Sequence, residues 1–491
     1  MKIKPSDELN ATISLNKNIE VIKETLNNTA DLSIRPLQIG GAQKYEGVLL
    51  YIENLVDSQA IRDNIISPLL QIRNSNELDH QNVMKSLAYH HIQSPSVEIS
   101  QSIKTAVNGI VRGKTLLMVA GFDQIVIAET TQWQQRSVEQ SSRQRSPAGP
   151  MIGLSEQLKV NINLIRNFIL SPNLVVEMKQ IGRFAQTDLS IVYLKDKVDT
   201  IALEEVRSRI DLLDVEYVLE SRVIEDVLEG RKKSIFPLVF NTEMPDIAAA
   251  ALYEGRIAVL VNGTPQAIIV PSLFVQYMAE PNEYYTKNGR LSNRFILFFC
   301  YFLSILLPGI YVAVANFHED WLPIKFAKKY FTHSETILPF FGEVSLLLLI
   351  LYIMSLISFR IQTDLIIVAS LVGTMVISTT AVDANLIHSL SLIIVGISFL
   401  TNMLFATGGM NNAAFSLRFL FLIFGSFFGL TAIGIGVIFL IIYLSLLRSV
   451  GVPYLAPIIP FRPQEFKDVF YRGDLKKLIN SPHKYPHDDK E

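Results

Sequence analysis

The segment Phe295–Leu447 holds about five long apolar runs and almost no charge. Runs of this length do not fit inside a water-soluble domain, and they predict a bundle of membrane-spanning helices. They fall near residues 295–316, 337–358, 363–383, 385–407 and 415–447. The last is too long for one untilted helix. It reads as a long tilted helix, or as two segments that break near Gly434–Gly436.

The chain is 49% hydrophobic and 18% charged, but that average hides two populations, because most of the charge lies before residue 295. A net charge of −2 supplies no basic field for nucleic acid. The single cysteine, Cys300, lies in the first apolar run, which excludes a disulfide framework and a cysteine zinc site. The first residues, MKIKPSDELN, lack the apolar core of a signal peptide, so the front portion is expected in the cytoplasm. Arg290 and Arg294 stand just before the first run, and Arg462, Lys467, Arg472, Lys476 and Lys477 follow the last. Positive flanks mark the cytoplasmic side at both ends, which requires an even number of crossings. Five runs meet that requirement only if one is re-entrant or the last one splits. The basic stretch LPIKFAKKYF after the first run, where the outside is expected, reads alternatively as an interfacial amphipathic helix.

Residues 1–43 read as a polar arm with one short amphipathic helix. GVLLYIE at Gly47 predicts a buried strand, and Asp57 an N-cap for the helix SQAIRDNIISPLL. Asn74–Pro95 reads as a loop, Val97–Val111 as a helix stopped at Gly113, and KTLLMVAG with QIVIAE as a hairpin. After a Gln-, Ser- and Arg-rich linker over Gln132–Pro150, the order of elements starts again. YIENLVD at Tyr51 aligns with YLKDKVD at Tyr193, and GKTLLMVAGFDQIVI at Gly113 with GRIAVLVNGTPQAII at Gly255. Both matches have an offset of 142, which argues for an internal duplication. The expected fold is an α/β cytoplasmic region of two duplicated half-domains, 44–150 and 151–289. An α-helical polytopic membrane domain, 290–447, and a cytoplasmic tail, 448–491, follow.

No phosphate-binding Gly-rich loop, HExxH, CxxC or GxSxG occurs, so no enzyme, cofactor or metal site is read from the chain. Polar residues at membrane level are the candidates for function: Glu343, Asp364, Asp383, His388, Asn402 and Arg418. For Asp364, Asp383 and Arg418 a plain position at a helix end competes with a functional one. Ser370, Thr374 and Ser378 share one helix face, which suits either a water-filled path or close packing. These three and Asp383 are the pore-lining candidates. Gly425, Gly429, Ala432 and Gly436 form a small-residue face for helix packing. Arg290 and Arg294 are candidates for coupling the front portion to the membrane.

Three stretches carry a family resemblance. TEMPDIAAAALYEGRIAVLVNGTPQAIIVPSLFVQYMAEPNEYY (Thr242–Tyr285), LPGIYVAVANFHEDWLP (Leu307–Pro323) and LRSVGVPYLAPIIPF (Leu447–Phe461) resemble, in order, the A subunit of GerA-type spore germinant receptors. NINLIRNFILSPNL at Asn161 agrees with it too. The resemblance implies a subunit of the inner spore membrane. It implies work with a transporter-like B subunit and a lipoprotein C subunit in an oligomeric, ligand-gated cation channel that begins germination. SpoVAF-type proteins share the architecture, and a non-conducting scaffold of the germination complex is the rival role.

Overall fold

The computed structural model describes residues 10–40, 45–53, 55–72, 82–131, 150, 152–230, 234–278, 287–321, 323, 338–358, 379–405, 408–462 and 469. The chain divides into two compact units. One holds Met1–Gly230 and Val239–Pro271; the other holds Arg231–Leu238 and Ser272–Pro482.

The first unit is α/β. Its opening helix α1 (Leu15–Thr25) precedes strands β1 (Leu32–Ile39) and β2 (Tyr45–Ile52). Helical stretches α2 (58–71) and α3 (83–91) lead to β3 (Val97–Ser100), α4 (Ile103–Ile110), β4 (Thr115–Val119) and β5 (Ile125–Ala128). Then come α5 (Leu158–Phe168), β6 (Leu174–Ile181), β7 (Thr187–Leu194), α6 (Thr200–Asp211), α7 (Arg222–Glu229), β8 (Phe240–Thr242), α8 (Pro245–Tyr253), β9 (Ile257–Val261) and β10 (Ala267–Val270). The strands form two antiparallel five-stranded sheets, ordered β1-β2-β4-β5-β3 and β6-β7-β9-β10-β8.

The two sheets share one register. Leu32 faces Ile52 where Leu174 faces Leu194; Thr115 faces Ala128 where Ile257 faces Val270; Ser100 faces Ile125 where Thr242 faces Ala267. Each position recurs 142 residues on. Asp57 and Asp199, both acting as N-caps through their side chains, keep the same spacing. Gly113 and Gly255 have φ of +83° and +89°. A Cβ on either would stand 2.7 Å from a carbonyl oxygen, of Leu55 and Lys197 respectively, so both positions require glycine on two counts.

Three expectations need correcting. Residues 10–39, read as an arm, hold the expected short helix as α1 but add the edge strand β1, and Ile22, Leu26 and Ile39 are fully buried. Val97–Val111 is a strand followed by a helix: residues 97–100 complete the ladder beside β5, and Ser102 caps α4. Residues 83–91, read as loop, are helical because Val83, Met84, Leu87 and Ala88 share a face packed in the core beside β4 and β5 residues. The linker residues 132–149 lie outside the described ones.

A buried ion pair ties the two sheets' segments together. Arg166 of α5 donates from Nε and Nη2 to the two carboxylate oxygens of Asp31, at 2.5 and 2.7 Å. Thr29 accepts from Arg166 Nη2 at 3.0 Å, and the Ala30 N–H donates to the Val176 carbonyl. Arg166 and Asp31 are both buried, so losing either partner strands a charge. Arg166→Ala is expected to cost about 3–5 kcal/mol, read as a lowered midpoint in thermal proteolysis of the solubilised chain.

Arg207 of α6 hydrogen-bonds Glu177 of β6, and the Tyr193 hydroxyl donates to the same carboxylate at 2.6 Å. Burial works to raise the Glu177 carboxyl, but Arg207 and Tyr193 outweigh it and hold it below its ordinary value of 4.5. The Tyr193 phenol is pushed up to about 12 by burial and by Glu177. A depressed carboxylate stabilises the fold above pH 4.5 and loses that contribution as pH falls through its lowered value. Glu177→Gln is therefore expected to lower stability near pH 7, where the carboxylate contributes fully, and to flatten the acid limb of the stability–pH curve so that the two proteins converge at low pH, as followed by circular dichroism.

Candidate functional site

The second unit is helical. It comprises α9 (Lys287–Phe317), α10 (Phe340–Ser358), α11 (Ser389–Asn402) and α12 (Gly408–Leu446), followed by a small two-stranded ladder, β11 (Arg448–Ser449) with β12 (Val452–Pro453). Ser272 belongs to this unit: its N–H donates to Ser449 Oγ at 2.8 Å, and Phe274 packs on Tyr301 and Tyr454. Within α9 and α12, Arg294–Phe317 and Gly409–Leu446 are long and apolar enough to cross a membrane. The polarity is inverted relative to a water-soluble domain. Phe299, Phe427, Phe428 and Phe439 are exposed, while Glu343 (0% exposed), Arg418 (3%), Ser304, Ser391 and Ser398 are buried.

Two glycines let α9 and α12 meet backbone to backbone. A Cβ on Gly425 would fall on the Gly309 carbonyl oxygen, and one on Gly309 would stand 2.5 Å from the Phe421 carbonyl oxygen. Gly429 is not helical; with φ +71° it breaks α12. The break lies at Gly429, not at the expected Gly434–Gly436. Beyond it the chain comes back far enough that a Cβ on Gly436 would touch the Phe421 ring at 2.9 Å and the Phe424 ring at 3.2 Å. In an unbroken helix Gly436 and Phe421 would stand about 22 Å apart.

Polar groups line the seam between α9 and α11. Arg418 Nε donates to the Ser304 carbonyl at 2.7 Å. That carbonyl is four residues before Pro308, which has no N–H to give it, so the guanidinium replaces the helix bond that proline removes. The second station lies two helical turns along. The Glu343 carboxylate accepts from the His388 N–H at 3.0 Å and from the Ser391 hydroxyl at 2.7 Å, and His388 Nδ1 lies 2.7 Å from it. The Tyr311 hydroxyl stands 2.9 Å from Ser391 Oγ, and Phe340 stacks on the imidazole. Ser304 and Tyr311 are seven residues apart on α9, as are Ser391 and Ser398 on α11, so one face of each helix supplies the seam.

Of the candidate pore residues, Ser370, Thr374 and Ser378 lie outside the described residues. Asp383 is described and exposed, at the end of a helical turn over 379–383. Arg290 lies in the first turn of α9, and Arg294 is buried. Gly425 makes the helix crossing; Gly429 makes the break; Gly436 faces the rings across it. Asp364 is outside the described residues. Glu343, His388 and Arg418 stood out as polar residues in apolar runs, but Tyr311 and Ser391 did not. The signal for Ser391 was its place three residues after His388 at the start of an apolar run, where a helix N-terminus needs acceptors and donors. Among the described residues no three His, Cys, Asp or Glu side chains group to hold a metal ion.

The Pro308–Arg418 pairing makes a direct prediction. Arg418→Met leaves the Ser304 carbonyl unsatisfied and is expected to cost about 1–3 kcal/mol. Pro308→Ala restores the missing donor, so in that background the same change is expected to cost clearly less. A double-mutant cycle of thermal midpoints checks this; additive losses would refute it.

Comparison with known proteins places these features. The family model described as Bacillus/Clostridium GerA spore germination protein matches residues 20–484. The chain is 31% identical to Spore germination protein KA of Bacillus subtilis, over 94% of this chain and 84% of that protein. It is 27% identical to Spore germination protein GerLA of Bacillus cereus, over 94% and 93%. It is 28% identical to the uncharacterized membrane protein YfkQ of Bacillus subtilis, over 96% and 91%. The crystal structure of the N-terminal domain of the A subunit of the Bacillus megaterium spore germinant receptor GerK3 aligns with a TM-score of 0.45 and 29% identity, covering 55% of this chain and 98% of that one. With a family match running from residue 20 to residue 484, the chain belongs to the GerA spore germination proteins.

Proposed function

We propose that this chain is the A subunit of a nutrient germinant receptor in the inner spore membrane, where it forms an oligomeric, ligand-gated cation channel or transducer that starts germination. The reading is supported by membership of the GerA family and by the relatives named as spore germination proteins. The single observation that carries the channel part is the inverted polarity of the helical unit: an apolar exterior over a buried seam with a carboxylate at one station and a guanidinium at another. Its partners are the transporter-like B subunit and the lipoprotein C subunit, with further copies of itself.

The same reading takes the helical unit as polytopic. The break at Gly429 divides the last apolar run in two. With the sequence run 363–383 counted as one span, six segments return the chain to the side from which it started, which agrees with basic flanks at both ends. The α/β unit is then cytoplasmic and assembles subunits, and the shared register of its two sheets supports reading it as a duplicated pair of half-domains. Arg290 and Arg294 couple it to the membrane. Ser370, Thr374, Ser378 and Asp383 line the pore.

Potassium release from liposomes holding the reconstituted receptor tests the channel. Nutrient-dependent release is expected, and the Ser370→Ala, Thr374→Ala, Ser378→Ala triple variant is expected to change it severalfold. A receptor that stays ion-tight with nutrient present would make the chain a scaffold instead. Release that the triple variant leaves untouched would remove those three residues from the pore.

A further inference from the structure

Helix α11 begins without the groups a helix start normally has. Its N-cap residue, His388, makes no side-chain capping bond, and its first turn holds no acidic residue. An uncapped N-terminus in an apolar bundle leaves main-chain donors without water to satisfy them. The carboxylate of Glu343 supplies what is missing from a different helix. It takes the N–H of the N-cap residue and the hydroxyl of Ser391 on the same oxygen, while its other oxygen meets the His388 imidazole. Glu343 also stands in the first turn of its own helix, α10, where a negative charge suits the helix dipole. One carboxylate therefore serves the starts of two helices, reaching its partner His388 45 residues further along the sequence.

The hydrophobic residues of this part of the bundle, Val312, Val344, Leu347, Ile387, Val395 and Leu422, pack in one cluster with Tyr311 and Phe340. Apolar packing specifies register weakly, and a buried polar group specifies it strongly because only one arrangement satisfies its hydrogen bonds. Of the other charged or titratable groups, Tyr311 hydrogen-bonds Ser391, which itself donates to Glu343, and Arg418 serves carbonyls two turns away.

We infer that Glu343 is a positioning residue that clamps α10 to the start of α11, and that release of this clamp is the step by which the bundle leaves its resting arrangement. The inference rests on the channel reading above. It gives gating a two-state element: the carboxylate either holds the first turn of α11, or lets that turn fray and the helix shift.

The test uses the full chain with its receptor partners in liposomes and has two independent readouts. In Glu343→Gln, amide exchange over residues 389–392 is expected to quicken roughly tenfold while residues 410–420 keep wild-type protection. Potassium release without nutrient is expected to rise severalfold at equal receptor content. Ser391→Ala should do both more weakly, and Ser391→Thr, which keeps the hydroxyl, should restore wild-type behaviour. If Glu343→Gln does not accumulate, the Ser391 pair decides alone. Unchanged exchange overturns the clamp. Faster exchange with wild-type release in the absence of nutrient overturns its role in gating. Wild-type receptor that never releases potassium sinks the channel reading instead, and leaves the exchange result to judge the clamp.

Discussion

The helical unit depends on the place where α9 and α12 touch with no side chain between them. Gly425 faces the backbone of Gly309 and Gly309 that of Phe421, so a methyl group on either glycine has nowhere to go. In lipid the hydrophobic effect does not drive helices together, and close van der Waals contact over small residues is what holds them. Such a contact also fixes axial register to within a residue. That fixed register brings Arg418 to the carbonyl that Pro308 leaves open, seven residues before the crossing at Gly425 on its own helix. The kink and its remedy lie on different helices, and only the crossing aligns them.

In the α/β unit, regularity comes from ladder geometry. A strand shifted by one residue turns its side chains to the wrong face, so two halves cannot hold one register over four strand pairings unless turns and caps agree as well. They do agree at the glycines with positive φ and at the aspartate caps. The Arg166–Asp31 pair breaks the pattern. No ion pair stands at its shifted counterpart, because the residue 142 positions after Asp31 is the uncharged Asn173. It serves the junction between the two sheets' segments and not the ladder order the sheets have in common.

Much of this was legible in the chain. The offset of 142 was visible in two local matches, and the glycine-bounded hairpins at Gly113 and Gly255 carry their own turn chemistry. Residues 83–91 and 97–100 were misjudged because short elements are set by what they pack against: Val97–Ser100 is a strand only because β5 offers it a ladder. In the helical unit, length and polarity announced the apolar runs. The small-residue face of the last run was visible too, but its glycines do three different things. Gly425 permits contact, Gly429 breaks the helix and Gly436 gives room to aromatic rings. Spacing alone does not separate these roles, since each depends on which backbone lies opposite.

The two buried stations differ in what they can do, and the difference is one of alternatives. Arg418 fills a vacancy created by covalent structure. Pro308 cannot regain an N–H, so the Ser304 carbonyl always needs that donor, and the station has one stable state. Glu343 fills a vacancy created by conformation. The His388 N–H and the Ser391 hydroxyl belong to a helix start that can unwind by a turn, and unwinding exposes other acceptors to the same donors. A charge buried for the first reason is a rivet; one buried for the second is a catch. Both sit along one seam between α9 and α11, so motion at the start of α11 is pinned two turns away, where Arg418 Nη2 lies 3.4 Å from the Ser398 carbonyl. A helix held at one end and catchable at the other pivots more readily than it slides, which confines any rearrangement to the end where Glu343 stands.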